Sequence, residues 1–391
     1  MVTALGPSLA PALRAPEAGL LRVGILGATG YVGAELIRLL ARHPQVSIRS
    51  LAARGRDHLP VGAVHPGLAG TGLHIDDHLP EPDQLDAAFL ALPHGQAAAT
   101  VIELATAGVR VIDLGPDFRL SDPADYARWY GFEHPTPELL PGGPGRPAPE
   151  GDGATGTTGA AAGTDTMARL PAAVYGLPEL HRAALPGARI IASPGCYPTA
   201  ALLALAPLAR AGLIGDLVVD AKSGLSGAGR EPRLGSLFGE AEGSVSAYGL
   251  GGHRHVAELR QELLGLGVGP KVVAGLIFTP HLVPMVRGIL ATCYVRPTRS
   301  VSQGELEALY AQAYADEPFV EVALSAPPSK SVSGSNLARV HASLDPDSGR
   351  IVALGVVDNL VKGAAGQAVQ AFDAAFGLPE TAGLEQLPLY P

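Results

Sequence analysis

The sequence predicts two domains of different class, a doubly wound parallel α/β domain followed by a mostly antiparallel α+β domain. In the segment 21–44, an apolar run enters a glycine-rich turn and leaves as an amphipathic helix that ends near His43. Strands and helices then alternate as far as residue 114, which is typical of a parallel sheet. After residue 197, six β-like runs follow with only two clear helical patterns between them, which favours antiparallel pairing.

The first domain is expected to span 20–196, the second 197–357, and a C-terminal segment 358–391 is expected to return a helix to the first domain. Strands of the first domain are predicted at 21–26, 46–52, 87–92 and 109–114, with a helix over 96–108. The β-like runs of the second domain are 215–224, 271–280, 287–297, 318–324, 337–345 and 350–357. The last helix is predicted within 363–377.

Two segments do not fit a packed core. Residues 1–19 are broken by prolines and lack the basic and apolar regions of a signal peptide, so we expect a disordered leader. Residues 140–168 are almost entirely Gly, Pro, Ala and Thr and are predicted to be a low-complexity insertion.

Composition limits the class of partner. With 391 residues, 47% of them hydrophobic and 17% charged, the chain is globular. The net charge of −9 argues against nucleic acid or an anionic membrane as a partner and leaves a small-molecule substrate. Two cysteines form neither a disulfide framework nor a zinc pattern, so no metal is predicted and a reducing cytoplasm is the simplest compartment.

The turn "GATGYVG" follows the first predicted strand and opens a helix, with glycines at Gly27, Gly30 and Gly33. Its spacing is GxxGxxG, so the GxGxxG dinucleotide fingerprint of Rossmann-type domains is met only in part. The backbone of such a turn can approach a pyrophosphate, and the helix N-terminus attracts the anion. The alternative is a strand-to-helix turn whose glycines serve packing alone. The further cofactor contacts predicted within the turn are Thr29, Tyr31 and Val32.

The second strand predicts which dinucleotide binds. Enzymes that use NAD usually carry an acidic residue at its end, for the ribose 2′-hydroxyl. Here the strand runs into "AARGRD", with no acid at its end and with Arg54 and Arg56 after it. Because arginine suits a 2′-phosphate, NADP(H) is the predicted cofactor. A solvated loop arginine is the alternative.

The segment "SPGCYPTAALLALAPLAR" places Cys196 at the start of a helix, since Pro198 suits the first helical turn. The helix macrodipole stabilises a thiolate there, which predicts a lowered thiol pKa and a nucleophilic role. An inert buried cysteine is the alternative, and Cys293 in the alternating run "ILATCYV" fits that description.

A nucleophilic cysteine needs a base within hydrogen-bond reach. The segment "GGHRHVAELRQELL" offers His253 and His255, which precede the apolar positions of a predicted helix. The residues alone leave three alternatives open, namely a general base, part of a metal site, and a surface pair.

These segments resemble the N-acetyl-gamma-glutamyl-phosphate reductase family. The resemblance rests on "GATGYVGAELIRLL", "ALPHG", "DLGPDFRL", "YGLPEL", "PGCYPTAALLAL", "SGLSGAGR", "GHRHVAEL", "RGILATCYV" and "DNLVKGAAGQAVQ", in family order from Leu21 onward. It implies NADPH-dependent reduction of an acyl phosphate to N-acetyl-glutamate 5-semialdehyde, with release of phosphate, in arginine biosynthesis. Cys196 would form a thioester, which hydride converts to a thiohemiacetal.

The resemblance also implies roles for further residues. His253 matches the acid/base, with His255 as the less favoured holder of that role, and Asn359 is expected beside the nicotinamide amide, the alternative being a helix cap. The implied substrate-binding arginines are Arg119, Arg230 and Arg287, and the further cofactor contacts are Pro93, Ser226 and Gly227. The family also suggests a homodimer or homotetramer.

The chain departs from the family pattern in the insertion and at Ala257, where many members have proline. The second departure resembles the homologous amino-adipyl-phosphate reductases of the lysine route, whose substrate is one methylene longer. Another hypothesis, from a different class, is a non-catalytic NADP-sensing protein. Aspartate-semialdehyde dehydrogenase shares the architecture but has a different cysteine context.

Overall fold

The computed structural model describes residues 19–142 and 170–390, and three β-sheets lie within these ranges. The strands are β1 (Leu21–Leu26), β2 (Val46–Ala52), β3 (Leu59–Pro60), β4 (His74–Ile75), β5 (Ala87–Leu90), β6 (Arg110–Asp113), β7 (Val174–Tyr175), β8 (Ile190–Ala192), β9 (Ile214–Ser223), β10 (Ser246–Ala247), β11 (Ile277–Leu282), β12 (Ile289–Pro297), β13 (Val320–Val322), β14 (Ala338–Leu344) and β15 (Ile351–Val357).

Eleven α-helices lie within the same ranges. They are α1 (Tyr31–Leu40), α2 (Val61–Val64), α3 (Ala98–Thr106), α4 (Pro123–Tyr130), α5 (Pro178–His181), α6 (Cys196–Arg210), α7 (Phe238–Ala241), α8 (His255–Gly265), α9 (Pro270–Ala274), α10 (Gln303–Ala313) and α11 (Gly366–Phe376). None of the helices in the described part of the chain is long and apolar enough to cross a membrane.

The first sheet is parallel throughout, in the order β2-β1-β5-β6-β8-β7. Successive side chains of a strand point to opposite faces, and each face has its own core. Phe89 of β5 packs with α1 and α11, whereas its neighbours Ala88 and Leu90 pack with α3 and α4. Helices therefore cover both faces, as expected for a doubly wound sheet.

The second sheet has the order β10-β11-β9-β12-β15-β14-β13. Four of its six strand pairings are antiparallel, and the pairs β11–β9 and β13–β14 are parallel. Alternate residues of β9, such as Val219 and Ala221, are buried beneath α6, α8 and α10. The predicted fold class, a parallel Rossmann-type domain followed by a mostly antiparallel α+β domain, is confirmed.

Local details differ from the sequence-based expectations. The run 271–280 was expected to be a strand, but Pro270 opens helix α9 and β11 begins only at Ile277. Helix α1 ends at Leu40, short of His43. Leu140, placed in the low-complexity insertion, is fully buried in the core. The leader at 1–18 and the rest of the insertion, 143–168, lie outside the described residues.

Helix α11 completes the core of the first sheet. A π-helical turn, Val361–Ala365, leads into it from the end of the second sheet. Phe372 of α11 lies 5.5 Å, between ring centroids, from Phe89 of β5. The C-terminal part of the chain therefore contributes to the core of the N-terminal domain.

Candidate functional site

The three glycines of the turn between β1 and α1 meet different constraints. Gly27 has a φ of +91°, and a Cβ there would lie 2.3 Å from the Ala91 carbonyl oxygen. A Cβ on Gly33 would lie 2.4 Å from the Gly27 carbonyl oxygen. Gly30 has an ordinary φ of −78°, and its nearest contact would be 3.5 Å. Backbone packing thus requires glycine at positions 27 and 33. It does not require glycine at position 30, so the missing side chain there has another purpose.

Gly30 is also the N-cap of α1, and no side chain caps this helix. The first N–H groups of a helix have no partner within it, and the macrodipole adds positive potential there. The turn lies at the carboxyl end of β1, an inner strand of the parallel sheet. An anionic group fits this position, which is the usual place for a dinucleotide pyrophosphate in open α/β sheets. Arg54 follows β2, next to this turn in the sheet order, and is exposed.

Cys196 is the first residue of α6, as the sequence predicted, and its side chain is partly accessible. The π-helical turn passes directly over it, because a Cβ on Gly363 would lie 2.8 Å from the Cβ of Cys196. Burial raises the pKa of Cys196 to about 11, although the Tyr197 N–H and Arg119 both act to lower it. The prediction of a lowered thiol pKa is therefore wrong for the free protein. The N–H groups at the start of the helix do lower the pKa of the thiol, as predicted, but desolvation raises it by more.

A fully buried carboxylate, Glu258, lies behind the cysteine. Its Oε2 accepts hydrogen bonds from the Gly195 N–H at 2.9 Å and from the Tyr175 hydroxyl at 3.0 Å. Its Oε1 lies 3.3 Å from Nη1 of Arg119. Glu258 thereby fixes the peptide between Pro194 and Gly195, which leads into Cys196. Glu258 was not among the predicted site residues, although it is the acidic residue of "HRHVAE".

His255 is buried against the same peptide. A Cβ on Gly195 would lie 2.5 Å from Nε2 of His255, and this nitrogen is 3.8 Å from Oε1 of Glu258. Its Nδ1 has no hydrogen-bond partner within residues 19–142 and 170–390. Burial, followed by His253 and Arg119, lowers the pKa of His255 well below its usual value. This histidine is therefore neutral at physiological pH.

His253 is half-buried in a ring of aromatic side chains. Its ring centroid lies 4.7 Å from that of His255, 5.5 Å from that of Tyr248 and 5.9 Å from that of Tyr197. Burial, assisted by Arg254, lowers the pKa of His253 to about 4. Its Nδ1 accepts a hydrogen bond from the backbone N–H of His255 at 3.2 Å. A neutral His253 consequently carries its proton on Nε2 and can donate it.

Residues 22–188 match a family model described as "Semialdehyde dehydrogenase, NAD binding domain", and residues 196–359 match "Semialdehyde dehydrogenase, dimerisation domain". The chain is 44% identical over 379 residues to the N-acetyl-gamma-glutamyl-phosphate reductase of Janthinobacterium sp. (strain Marseille), with 95% of this chain and 100% of that protein covered. The reductase of Ectopseudomonas mendocina (strain ymp) is 45% identical over 379 residues, with the same coverage. The chain belongs to the N-acetyl-gamma-glutamyl-phosphate reductase family. It is accordingly an oxidoreductase.

Solved structures similar to this family member include aspartate semialdehyde dehydrogenase II from Vibrio cholerae, complexed with ASA, with a TM-score of 0.63 and 19% identity. That match covers 91% of this chain and 98% of the other. Aspartate semialdehyde dehydrogenase with NADP from Candida albicans has a TM-score of 0.58 and 14% identity, with 91% and 98% covered. At these identities the likeness shows the fold alone.

Of the three arginines implied as substrate ligands in this family, only Arg119 lies with Cys196. Its Nε donates to the Ser193 carbonyl at 2.6 Å and its Nη2 to the Leu114 carbonyl at 2.7 Å. Arg287 instead pairs with Glu35 of α1 at 2.7 Å and lies 3.6 Å from Asp358. Arg287 thus joins α1 to the end of β15. Its role as a substrate ligand stays a prediction, as does that of Arg119, which is itself paired with Glu258.

Arg230 also departs from its expected place. Its Nη1 donates to the Thr29 carbonyl at 3.0 Å, and its Nη2 donates to the Val64 carbonyl at 2.9 Å. The second domain thus reaches the glycine-rich turn through this side chain. Arg230 contacts the predicted cofactor site, not the residues around Cys196 that are described above.

Asn359 holds the loop that carries Ser226 and Gly227, within the segment "SGLSGAGR". Its Oδ1 accepts from the Gly288 N–H at 2.7 Å, and its Nδ2 donates to the Ser226 hydroxyl at 2.9 Å. Gly227, next in this loop, is exposed. The neighbouring Asp358 caps the following turn, because its Oδ1 accepts from the Leu360 and Val361 N–H groups. Asn359 is therefore not the cap. Its amide positions the loop that carries the predicted cofactor contacts Ser226 and Gly227.

Pro93 is exposed in the loop after β5, at the same edge of the sheet as the glycine-rich turn. The carboxylate of Asp117 fixes this loop by accepting from the Gly95 N–H at 2.8 Å and the Ala97 N–H at 2.9 Å. Asp117 was not among the predicted site residues either, although it stands in "DLGPDFRL". Within the described residues, no group of three or more His, Cys, Asp or Glu could hold a metal ion.

Proposed function

We propose that this protein reduces N-acetyl-gamma-glutamyl phosphate with NADPH to N-acetyl-glutamate 5-semialdehyde and phosphate. The observation that carries the proposal is the position of Cys196 at the start of α6, beside two neutral histidines and the Arg119–Glu258 pair. Relatives that bear this name and align over 95% of the chain supply the substrate. The cofactor is NADP(H), which fits the uncapped turn at Gly30.

The first half-reaction forms a thioester. The sulfur of Cys196 attacks the acyl carbon, its proton passes to a histidine, and the bond from that carbon to the phosphate oxygen breaks, so that phosphate leaves. The histidine is necessary because burial raises the pKa of the thiol to about 11, which leaves little thiolate at neutral pH. Arg119 and the first amides of α6 supply positive potential for the negative charge that develops.

The second half-reaction is the reduction. NADPH, when bound, supplies the hydride for the thioester carbon. Nε2 of His253 donates a hydrogen bond to the resulting oxyanion, in accordance with its tautomer. The oxyanion then collapses to the semialdehyde and expels the sulfur of Cys196 as a thiolate, and the histidine that took the thiol proton in the first half-reaction returns it to the sulfur. His255, fixed between Gly195 and Glu258, is the positioning partner of His253 and the alternative base.

The test runs the reaction in reverse, as phosphate-dependent reduction of NADP by the purified protein with N-acetyl-glutamate semialdehyde. We expect Cys196→Ser to abolish turnover and to retain NADPH binding. The matched control is Cys293→Ala, at a buried position of strand β12, which should retain turnover. Substantial turnover by Cys196→Ser would refute the nucleophile. Turnover only with the substrate that is one methylene longer would indicate the lysine-route reaction, and NADPH binding without turnover of either would indicate the sensing protein.

We further propose that the protein assembles as a homodimer or homotetramer in the cytoplasm. The matching dimerisation domain and the exposed apolar side chains of the second domain, such as Ile277 on β11 and Tyr294 on β12, support the assembly. Two free cysteines suit a reducing compartment. Sedimentation velocity would test the assembly, and a concentration-independent monomer would contradict it.

A further inference from the structure

Two side chains donate hydrogen bonds to backbone carbonyls of the glycine-rich turn. Nε2 of His65 donates to the Ala28 carbonyl at 2.9 Å, and Nη1 of Arg230 donates to the Thr29 carbonyl at 3.0 Å. The two side chains also meet, since Nη1 of Arg230 lies 3.4 Å from Nδ1 of His65. Consecutive carbonyls of the turn are thus engaged by donors from separate parts of the chain.

The anchoring crosses between the two domains. His65 follows helix α2 of the first domain, and Arg230 follows strand β9 of the second domain. Nη2 of Arg230 donates to the Val64 carbonyl at 2.9 Å, which ties the segment that carries His65 to the same guanidinium. The turn, the His65 segment and the second domain therefore share one hydrogen-bonded junction.

Peptide geometry links these contacts to the directions of the N–H groups in the turn. In a planar trans peptide the carbonyl of one residue and the N–H of the next point in opposite directions. With the Ala28 carbonyl held outward by His65, the Thr29 N–H faces the other way. The Gly30 N–H donates to the Gly27 carbonyl at 3.1 Å and so closes the turn. His65 therefore sets the direction of the Thr29 N–H, and Arg230 holds the next peptide, which leads into α1 and its uncapped first N–H groups.

We propose that His65 and Arg230 are positioning residues for the dinucleotide, which orient the turn for the pyrophosphate. The proposal rests on the proposed function, because it takes the turn at Gly30 as the cofactor site. It replaces the expectation that Arg230 binds substrate. It also makes cofactor affinity depend on a contact between the two domains.

The expected effect is moderate because water can reach the junction. His65 and Arg230 line a cavity of about 430 Å³ alongside Tyr31 and Arg38 of α1. Water entering this space after removal of a side chain would satisfy the freed carbonyl but would not hold its direction. Loss of one such hydrogen bond is expected to raise the Kd for the dinucleotide about tenfold.

The test measures dinucleotide binding by fluorescence titration and the KM for each substrate in Arg230→Ala. We expect the Kd values for NADPH and NADH to rise by the same factor, because the pyrophosphate is common to both, and the KM for N-acetyl-gamma-glutamyl phosphate to stay unchanged. Arg233→Ala, in the same exposed loop, is the matched control and should bind both dinucleotides normally. Unchanged dinucleotide binding in Arg230→Ala, or a rise confined to the KM of the acyl phosphate, would overturn the proposal.

A variant of the turn itself separates this proposal from the proposed function. Gly30→Ala meets no clash in the protein, so weaker binding would come from its methyl group facing the cofactor. Normal binding by Gly30→Ala would show that the turn is not the cofactor site, and both proposals about the turn would fall. Weak binding by Gly30→Ala with normal binding by Arg230→Ala would refute the positioning role alone. His65→Gln, which keeps a donor, should bind better than His65→Leu.

Discussion

The reactivity of Cys196 should depend steeply on pH. Burial raises its pKa to about 11, so that at pH 8 only about one thiol in a thousand is ionised. The thiolate is the reactive form. At pH values below the pKa, its concentration rises tenfold for each unit by which the pH increases. We therefore expect the alkylation rate of the free protein to rise about tenfold per unit between pH 7 and pH 9, without a plateau.

The assay is timed alkylation with iodoacetamide, read by mass spectrometry of the peptide that contains Cys196. Cys293 is an internal control, since it is fully buried and burial raises its pKa further still, so it should not react in the folded protein. Cys196→Ser controls for labelling elsewhere. A plateau with a midpoint between pH 7 and 8.5 would refute the argument from burial and restore the prediction from the helix start alone.

Three other predictions concern single side chains. Arg54→Ala should raise the KM for NADPH about 10- to 100-fold and leave that for NADH unchanged, because only NADPH carries the 2′-phosphate; equal effects in steady-state kinetics would exclude this role. Glu258→Ala should lower the free energy of unfolding by about 3–5 kcal/mol, since it leaves Arg119 buried without its carboxylate, and urea denaturation would show whether it does. Lys362→Met should lower the free energy of unfolding by a similar amount, because it leaves the carboxylate of Glu179 buried without its ion-pair partner. The double variant with Glu179→Leu should recover most of that loss, and a loss equal to the sum of the two single variants would contradict this reasoning.

The first domain could be predicted closely from the sequence because its signals are local. The strands at 21–26 and 46–52 have the predicted bounds, since each is an apolar run with clear ends. The run 271–280 was ambiguous because a short apolar stretch fits a strand or a helix, and Pro270 decides in favour of a helical turn. The deciding signal is thus local, but it stands one residue before the run.

The site divides in the same way. The position of Cys196 at a helix start follows from local sequence, but its desolvation depends on side chains distant in the chain. Glu258 stands in the first turn of a helix, where an acidic residue is usually solvated and is stabilised by the macrodipole. Its hydrogen bond to Gly195 spans 63 residues and has no local signal. Arg230 contacts Thr29 across 201 residues, and "SGAGR" alone does not indicate which ligand that arginine serves.

The return of helix α11 to the first sheet has a consequence for synthesis. Val361 and Phe372 fill the same core as Val23 and Ile25 of β1, yet the ribosome adds them only after every strand of the second sheet. The N-terminal domain therefore emerges with one apolar face covered only in part, by α1, although domains usually fold in order as they leave the ribosome. We expect the nascent chain to expose the rest of this face until residue 376 has been added. Until then, the incomplete chain is a substrate for chaperones that bind apolar surface.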